Sequence, residues 1–221
     1  MENDHCVNKV PLFNHLTPAE QAEIQSLVYH RSYKKGEIIF SPQNPEQLTI
    51  IASGKMKVYH LSSQGREQLI RIVGPGDYDG ENYLFGLKNK ALYGEALTDT
   101  MICCLLQTRF ADLLKKYPQL GLKLLDLNAQ KTVELENQTQ LLGLDKIEDR
   151  LLFYLADLAE PGHQETIKIP IPLKEVANYL GTNPETLSRN FKSLEKEGLI
   201  SRKIRKVELG AKFWQRLEDM K

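Results

Sequence analysis

Glu185, Ser188 and Arg189 occupy positions i, i+3 and i+4 of the stretch Asn183-Pro184-Glu185-Thr186-Leu187-Ser188-Arg189. Residues so spaced share one face of a helix, and together they carry an acceptor, a small hydroxyl and a planar fork of donors. An arginine fork matches the O6 and N7 acceptors of guanine. A glutamate accepts from the exocyclic amine of cytosine and can steer a neighbouring arginine, and a serine hydroxyl approaches a thymine without a clash. The bland alternative is that Glu185 and Arg189 form only a surface helix pair worth a few tenths of a kcal/mol. Thr182, Thr186 and Lys192 suit phosphate oxygens, which fix register without reading sequence.

Those side chains need two packed helices to hold them. Leu173, Val176, Ala177 and Leu180 form one apolar stripe at helical spacing, and Leu187, Phe191 and Leu194 form a second. Between the stripes, Gly181 can end the first helix in the left-handed conformation, Asn183 can cap the second, and Pro184 at its first position forfeits no needed N–H. The pattern predicts a helix-turn-helix. Ile200 to Leu209 alternates apolar and polar residues around Arg202, Lys203, Arg205 and Lys206, as a basic β-hairpin wing does. Residues 168–212 hold ten lysines and arginines against five acidic residues, in a chain of zero net charge. Positive charge is sorted into this third, as a phosphate-binding surface requires.

The remainder bounds the classes available. A chain of 221 residues, 41% of them apolar, is long enough for two small domains. No apolar run reaches about eighteen residues and the N-terminus has no apolar signal core, so a soluble, cytoplasmic protein without membrane attachment is expected. His5, His15, His30, His60 and His163 are scattered and read as ordinary surface or packing residues. Cys6, Cys103 and Cys104 match neither a disulfide framework nor zinc spacing. No metal pattern, nucleophile elbow or phosphate loop occurs, so an enzyme on a cupin-like barrel lacks support.

Short β-prone runs from Leu48, Lys55 and Gln68, punctuated by Gly36, Gly54, Gly65 and Gly74-Pro75-Gly76, predict a sandwich or a jelly roll. Thr17, Pro18 and Glu20 predict a capped helix before it. From Pro118 to Leu142 the period is helical again, over about 25 residues or about 37 Å. Leu125, Thr132 and Thr139, with Asn128, Leu135 and Leu142, fall at heptad spacing, a half-polar seam that suits either a switchable dimer or a packed core helix. The hinge is placed at Gly143 to Lys146.

In that order and spacing, Lys34-Lys-Gly-Glu-Ile-Ile-Phe40, Ile51-Ala-Ser-Gly-Lys-Met-Lys-Val58, Gly74-Pro-Gly-Asp-Tyr-Asp-Gly-Glu81, Asp149-Arg-Leu-Leu-Phe-Tyr-Leu155 and Glu185-Thr-Leu-Ser-Arg189 resemble the CRP/FNR family of bacterial transcription regulators over nearly the whole chain. The resemblance implies an α+β protein. Residues 1–117 would be a cyclic-nucleotide-binding-like β-roll sensor domain, 118–143 a dimerisation helix and 144–221 a winged-helix DNA-binding domain. Double-stranded DNA, a second copy of the chain and RNA polymerase are the implied partners, and a dimer reads a palindrome with recognition helices about one DNA turn apart.

Within the family, cyclic-AMP-binding members follow a Gly-Glu pair with an Arg-Ser pair that holds the phosphate. Gly80-Glu81 matches and marks the candidate effector pocket, but Ala91-Leu92 stands where the fork belongs, and an unpaired buried phosphate costs several kcal/mol. Cyclic AMP is disfavoured. Glu185, Ser188 and Arg189 resemble the FNR-type readers of TTGA-like half-sites. An iron–sulfur cluster is disfavoured too, since it wants about four thiolates and adjacent strand residues point to opposite faces. The chain is closest to FNR-like proteins of Gram-positive bacteria, in which a thiol pair can replace the cluster. Cys6 with Cys103, or Cys104 as the fallback, is the redox candidate; the alternative is that all three cysteines are packing or tail residues.

Overall fold

A computed structural model describes residues 6–43, 47–159 and 164–220, except the side chains of Cys6 and Lys9. His5 and His163 lie outside the described residues, as does the Cys6 thiol. The chain divides into two compact units, Met1–Thr132 and Val133–Lys221.

The first unit opens with α1 (Cys6–Lys9) and α2 (Pro18–Leu27). In α2 the capping box predicted from Thr17 and Glu20 forms in both directions: Glu20 N–H donates to Thr17 Oγ1 at 3.4 Å, and Thr17 N–H donates to the Glu20 carboxylate at 2.8 Å. The strands β1 (Tyr29–Tyr33), β2 (Ile38–Phe40), β3 (Gln47–Ser53), β4 (Met56–Leu61), β5 (Glu67–Val73) and β6 (Tyr78–Asp79) follow. The short helix α3 (Glu81–Leu84) precedes β7 (Leu92–Ala96) and β8 (Thr100–Leu106). All pairings are antiparallel, in two four-stranded sheets ordered β1-β8-β3-β6 and β2-β7-β4-β5. This is the expected β-roll. The helix α4 (Gln107–Lys116) leads to α5 (Gln119–Gly143), 25 residues long.

Strand alternation builds two cores from one sheet. Along β8, Ile102 and Cys104 join Ile51, Met56, Val58 and Val73 inside the roll, whereas Cys103 and Leu105 join Val7, Val10, Phe13 and Phe110 beneath the helices. Both faces of β3 are therefore covered, and every residue of it but Ser53 is buried, the polar Gln47 and Thr49 included. At β7, a Cβ on Gly94 would meet the Phe40 ring at 2.4 Å, so only glycine lets the sheets close there.

The second unit continues from α5 into α6 (Ile147–Ala159), β9 (Thr166–Lys168), α7 (Leu173–Tyr179), α8 (Pro184–Lys196), β10 (Ile200–Lys203), β11 (Lys206–Leu209) and α9 (Ala211–Glu218). The three strands form a sheet ordered β10-β11-β9, which with the helix pair makes a winged helix-turn-helix. None of the helices among the described residues is long and apolar enough to cross a membrane.

Candidate nucleic-acid interface

The candidate surface begins at a cap. Asn183, in extended conformation, accepts from the Thr186 N–H at 2.8 Å, Pro184 opens α8, and Gly181 takes φ 68° to end the preceding helix. Leu187, Phe191 and Leu194 are buried, each worth about 1.5–3 kcal/mol of side-chain burial, and α8 packs on α6 and α7 through them. That choice of face leaves Glu185, Arg189 and Lys192 exposed and Ser188 half-buried on the outer side.

The structure brings Arg189 to Thr186 rather than to Glu185. Arg189 Nη2 donates to Thr186 Oγ1 at 3.0 Å, and the described residues show no ion pair between Glu185 and Arg189. A single hydroxyl thus holds one arm of the guanidinium by accepting, and its own proton can still be donated. Thr182 lies at the helix N-terminus, half-buried, where partial positive charge favours anions.

The wing is fixed to α8. Arg202 lies with its guanidinium carbon 4.3 Å from the centre of the Phe191 ring, and its backbone N–H donates to Glu195 at 3.1 Å. Stacking limits how far this fork can swing. Lys203, Arg205 and Lys206 are exposed at the hairpin end. Arg150, on α6, donates to the Leu144 carbonyl at 2.9 Å and to the Leu180 carbonyl at 3.0 Å, bracing the C-terminal end of α7. Nothing in the local pattern around Arg150 announces that role, because its acceptors are backbone carbonyls, one of them thirty residues away.

The candidate effector residues are positioned by the roll and by α5. Gly80 has φ 89°, and a Cβ there would sit 2.4 Å from the Gln47 carbonyl, so glycine is obligatory. Glu81 is buried, and one of its oxygens accepts from Lys131 Nζ at 2.9 Å. Lys131 also donates to the Tyr78 carbonyl at 2.9 Å and lies 3.8 Å from the Tyr78 ring centre. Glu81 Oε2 and the Tyr78 hydroxyl are buried without a hydrogen-bond partner among the described residues. Burial and the neighbouring Glu81 carboxylate raise the Tyr78 phenol well above its ordinary range. Around Ala91 and Leu92, Asn89 supplies the bonding: its side-chain oxygen accepts from both backbone N–H groups, and its amide donates to the Leu92 carbonyl at 2.6 Å.

Cys103 is disulfide-bonded, whereas Cys104 is a free, buried thiol whose pKa burial pushes up to about 11. Their separation into different cores follows the strand alternation, and Cys103 shares its core with Val7 and Val10, beside the N-terminal helix. The described residues contain no group of His, Cys, Asp and Glu that could hold a metal ion.

Residues 30–117 match the cyclic nucleotide-binding domain family, and residues 149–220 match the Crp-like helix-turn-helix domain family. A probable transcriptional regulator, flp, of Lacticaseibacillus casei is 42% identical over 204 residues, which cover 92% of this chain and 93% of that protein. The transcriptional activator protein FnrL of Cereibacter sphaeroides is 25% identical, with 90% of this chain and 84% of that protein covered. The solved structure of FixK2 from Bradyrhizobium japonicum matches with a TM-score of 0.68 at 25% identity, covering 87% of this chain and 96% of that one. A CooA mutant from Carboxydothermus hydrogenoformans matches with a TM-score of 0.76 at 20% identity, covering 90% and 89%.

Proposed function

Because this chain belongs to the Crp/FNR family of DNA-binding transcription regulators, we propose that it binds, as a cytoplasmic homodimer, a palindrome with TTGA-like half-sites. The observation that carries this reading is the outer face of α8, where Glu185, Ser188 and the Thr186-anchored fork of Arg189 stand together above a buried Leu187-Phe191-Leu194 face. Arg189 reads guanine, Glu185 a cytosine amine, and Ser188 makes room for thymine. Thr182, Thr186, Lys192, Arg202 and Lys203 contact phosphates. RNA polymerase is the downstream partner.

The dimer seam is the exposed face of α5. Leu125 and Leu135 are 67% and 40% exposed in the single chain, as expected for residues awaiting a partner. The polar seam residues satisfy themselves: Asn128, Thr132 and Thr139 each donate to the carbonyl four residues earlier, at 2.8–2.9 Å. Burying them in an interface therefore strands neither hydroxyl, and of the Asn128 amide only the second N–H is left for the partner.

DNA affinity is modulated by thiol state through Cys6 and Cys103, and neither cyclic AMP nor an iron–sulfur cluster is required. The bonded state of Cys103, the free state of Cys104 and the packing of Cys103 beside the N-terminal helix support that pairing. In a reducing compartment such a bond is regulatory rather than structural. A second reading, an unidentified small molecule in the roll, is favoured by the two unpartnered buried atoms of Tyr78 and Glu81. The test is anisotropy titration of a labelled TTGA inverted-repeat duplex, with and without cyclic AMP, by reduced and oxidised wild type and Cys6→Ser. Nanomolar, salt-sensitive binding without cyclic AMP, with an oxidation effect that Cys6→Ser abolishes, is expected. Affinity no better than for a scrambled duplex would defeat the reading.

A further inference from the structure

We propose that Ile204, at the tip of the wing, is an apolar contact that enters the minor groove beside each half-site. Lys203, Arg205 and Lys206 would then face phosphates while one aliphatic residue reaches between the strands. The inference rests on the DNA-binding reading above and adds to it a residue that electrostatics alone would not select.

Ile204 is in the wrong place for the fold. Strands β10 and β11 are joined by the two-residue turn Ile204-Arg205, with Lys203 paired to Lys206 across its base. Ile204 has φ 56°, the sole positive φ at a non-glycine among the described residues, and Arg205 does not share it. Positive φ at the first central residue alone is the pattern of a type II′ hairpin turn, whose first position belongs to glycine. A β-branched residue there is a steric outlier and destabilises the turn. Burial does not offset that cost, because Ile204 is 86% exposed, the most exposed large apolar residue described.

The turn is nonetheless held. The Arg205 carbonyl accepts from the Ile169 N–H at 2.8 Å, tying the tip to the chain just past β9, and the Lys206–Lys168 pairing continues the sheet beneath it. The strained tip is presented rigidly. A glycine would satisfy the same turn without strain, so the isoleucine is accounted for by what the tip touches outside the unit.

The flanks identify that partner. Lys203, Arg205 and Lys206 surround the tip and are exposed, so an apolar protein groove would have to desolvate three cations around one side chain. The minor groove suits the arrangement: it is about 6 Å wide, bounded by phosphates on both edges, and takes aliphatic wedges against its sugars and base steps.

The test uses the full-length protein and a duplex carrying the TTGA inverted repeat with native-like flanks, titrated over a salt series by wild type, Ile204→Gly and Lys203→Gln. Ile204→Gly should weaken binding about tenfold with an unchanged slope of log affinity against log salt, because no phosphate contact is lost. Lys203→Gln should flatten the slope. Hydroxyl-radical footprinting should show minor-groove protection flanking the half-site in wild type that disappears in Ile204→Gly, while the urea midpoint of the glycine variant does not fall. Affinity within twofold of wild type, a salt slope altered as in Lys203→Gln, or a lowered urea midpoint would each overturn the proposal. Wild type that fails to hold the duplex would overturn the DNA reading beneath it, a result distinct from a bound duplex indifferent to Ile204.

Discussion

Arg189 owes its pose to one hydroxyl, which under the proposed DNA reading makes Thr186 a positioning residue for base readout. Thr186→Val keeps the β-branched shape and removes the acceptor. It should cost about 0.5–1.5 kcal/mol of binding, concentrated at the guanine, measured by titrating duplexes substituted at each position. Equal losses at every position would assign Thr186 to phosphate alone. At Cys104 the sign of the pH effect is fixed by a folded pKa near 11, above the ordinary thiol value of about 8.5. The unfolded thiol ionises first as pH rises, so this group's contribution to stability is complete below about pH 8.5 and is lost as pH climbs through 11. Native protein at pH 8 should leave Cys104 unalkylated by iodoacetamide, and protein in urea should not. Rapid native alkylation would show that the thiol is not enclosed. The outer face that carries Glu185, Ser188 and Arg189 was legible in sequence because cap, proline and apolar period all point to the same buried face. The partner of Arg189 was not, since Glu185 and Thr186 are both within reach on a helix and only side-chain packing chooses between them.

At the scale of elements, legibility followed local pattern. Helix α8 and the wing were readable because their signals lie within a few residues of one another. Strand β1 was not, because Tyr29–Tyr33 shows solvent its three central residues and carries no apolar alternation. Strand β9 is three residues long and exists only through pairing with β11, some forty residues later. The same limit hid Lys131, whose contact with Glu81 spans fifty residues. That pair ties α5 to the floor of the roll one residue before the first unit ends. With the carboxylate side chain 6% exposed, Lys131→Met should destabilise the first unit by about 3–5 kcal/mol. The double variant Lys131→Met/Glu81→Gln should recover most of that loss in urea unfolding. A single variant as stable as wild type would show that the carboxylate is solvated.

For the whole molecule, two units, a β-roll and a winged helix, divide the 25-residue helix α5 between them along the chain. The order of these parts was legible from the change of period along the chain, strand to helix to helix-turn-helix. The pairing of strands into two sheets was not, because register depends on partners far away in sequence. Dimerisation belongs to this scale. Leu135→Lys places a charge in the proposed seam without touching the roll or the recognition helix, and sedimentation should show a monomer that has lost specific DNA affinity. A dimeric variant would move the seam elsewhere. The most direct measurement is selection of bound sequences from a random duplex pool by full-length wild type and by Arg189→Ala. Wild type should enrich an inverted repeat of TTGA-like half-sites, and Arg189→Ala should bind about 1–3 kcal/mol more weakly and lose preference at the guanine. No enriched palindrome, or the same motif from both proteins, would contradict the account.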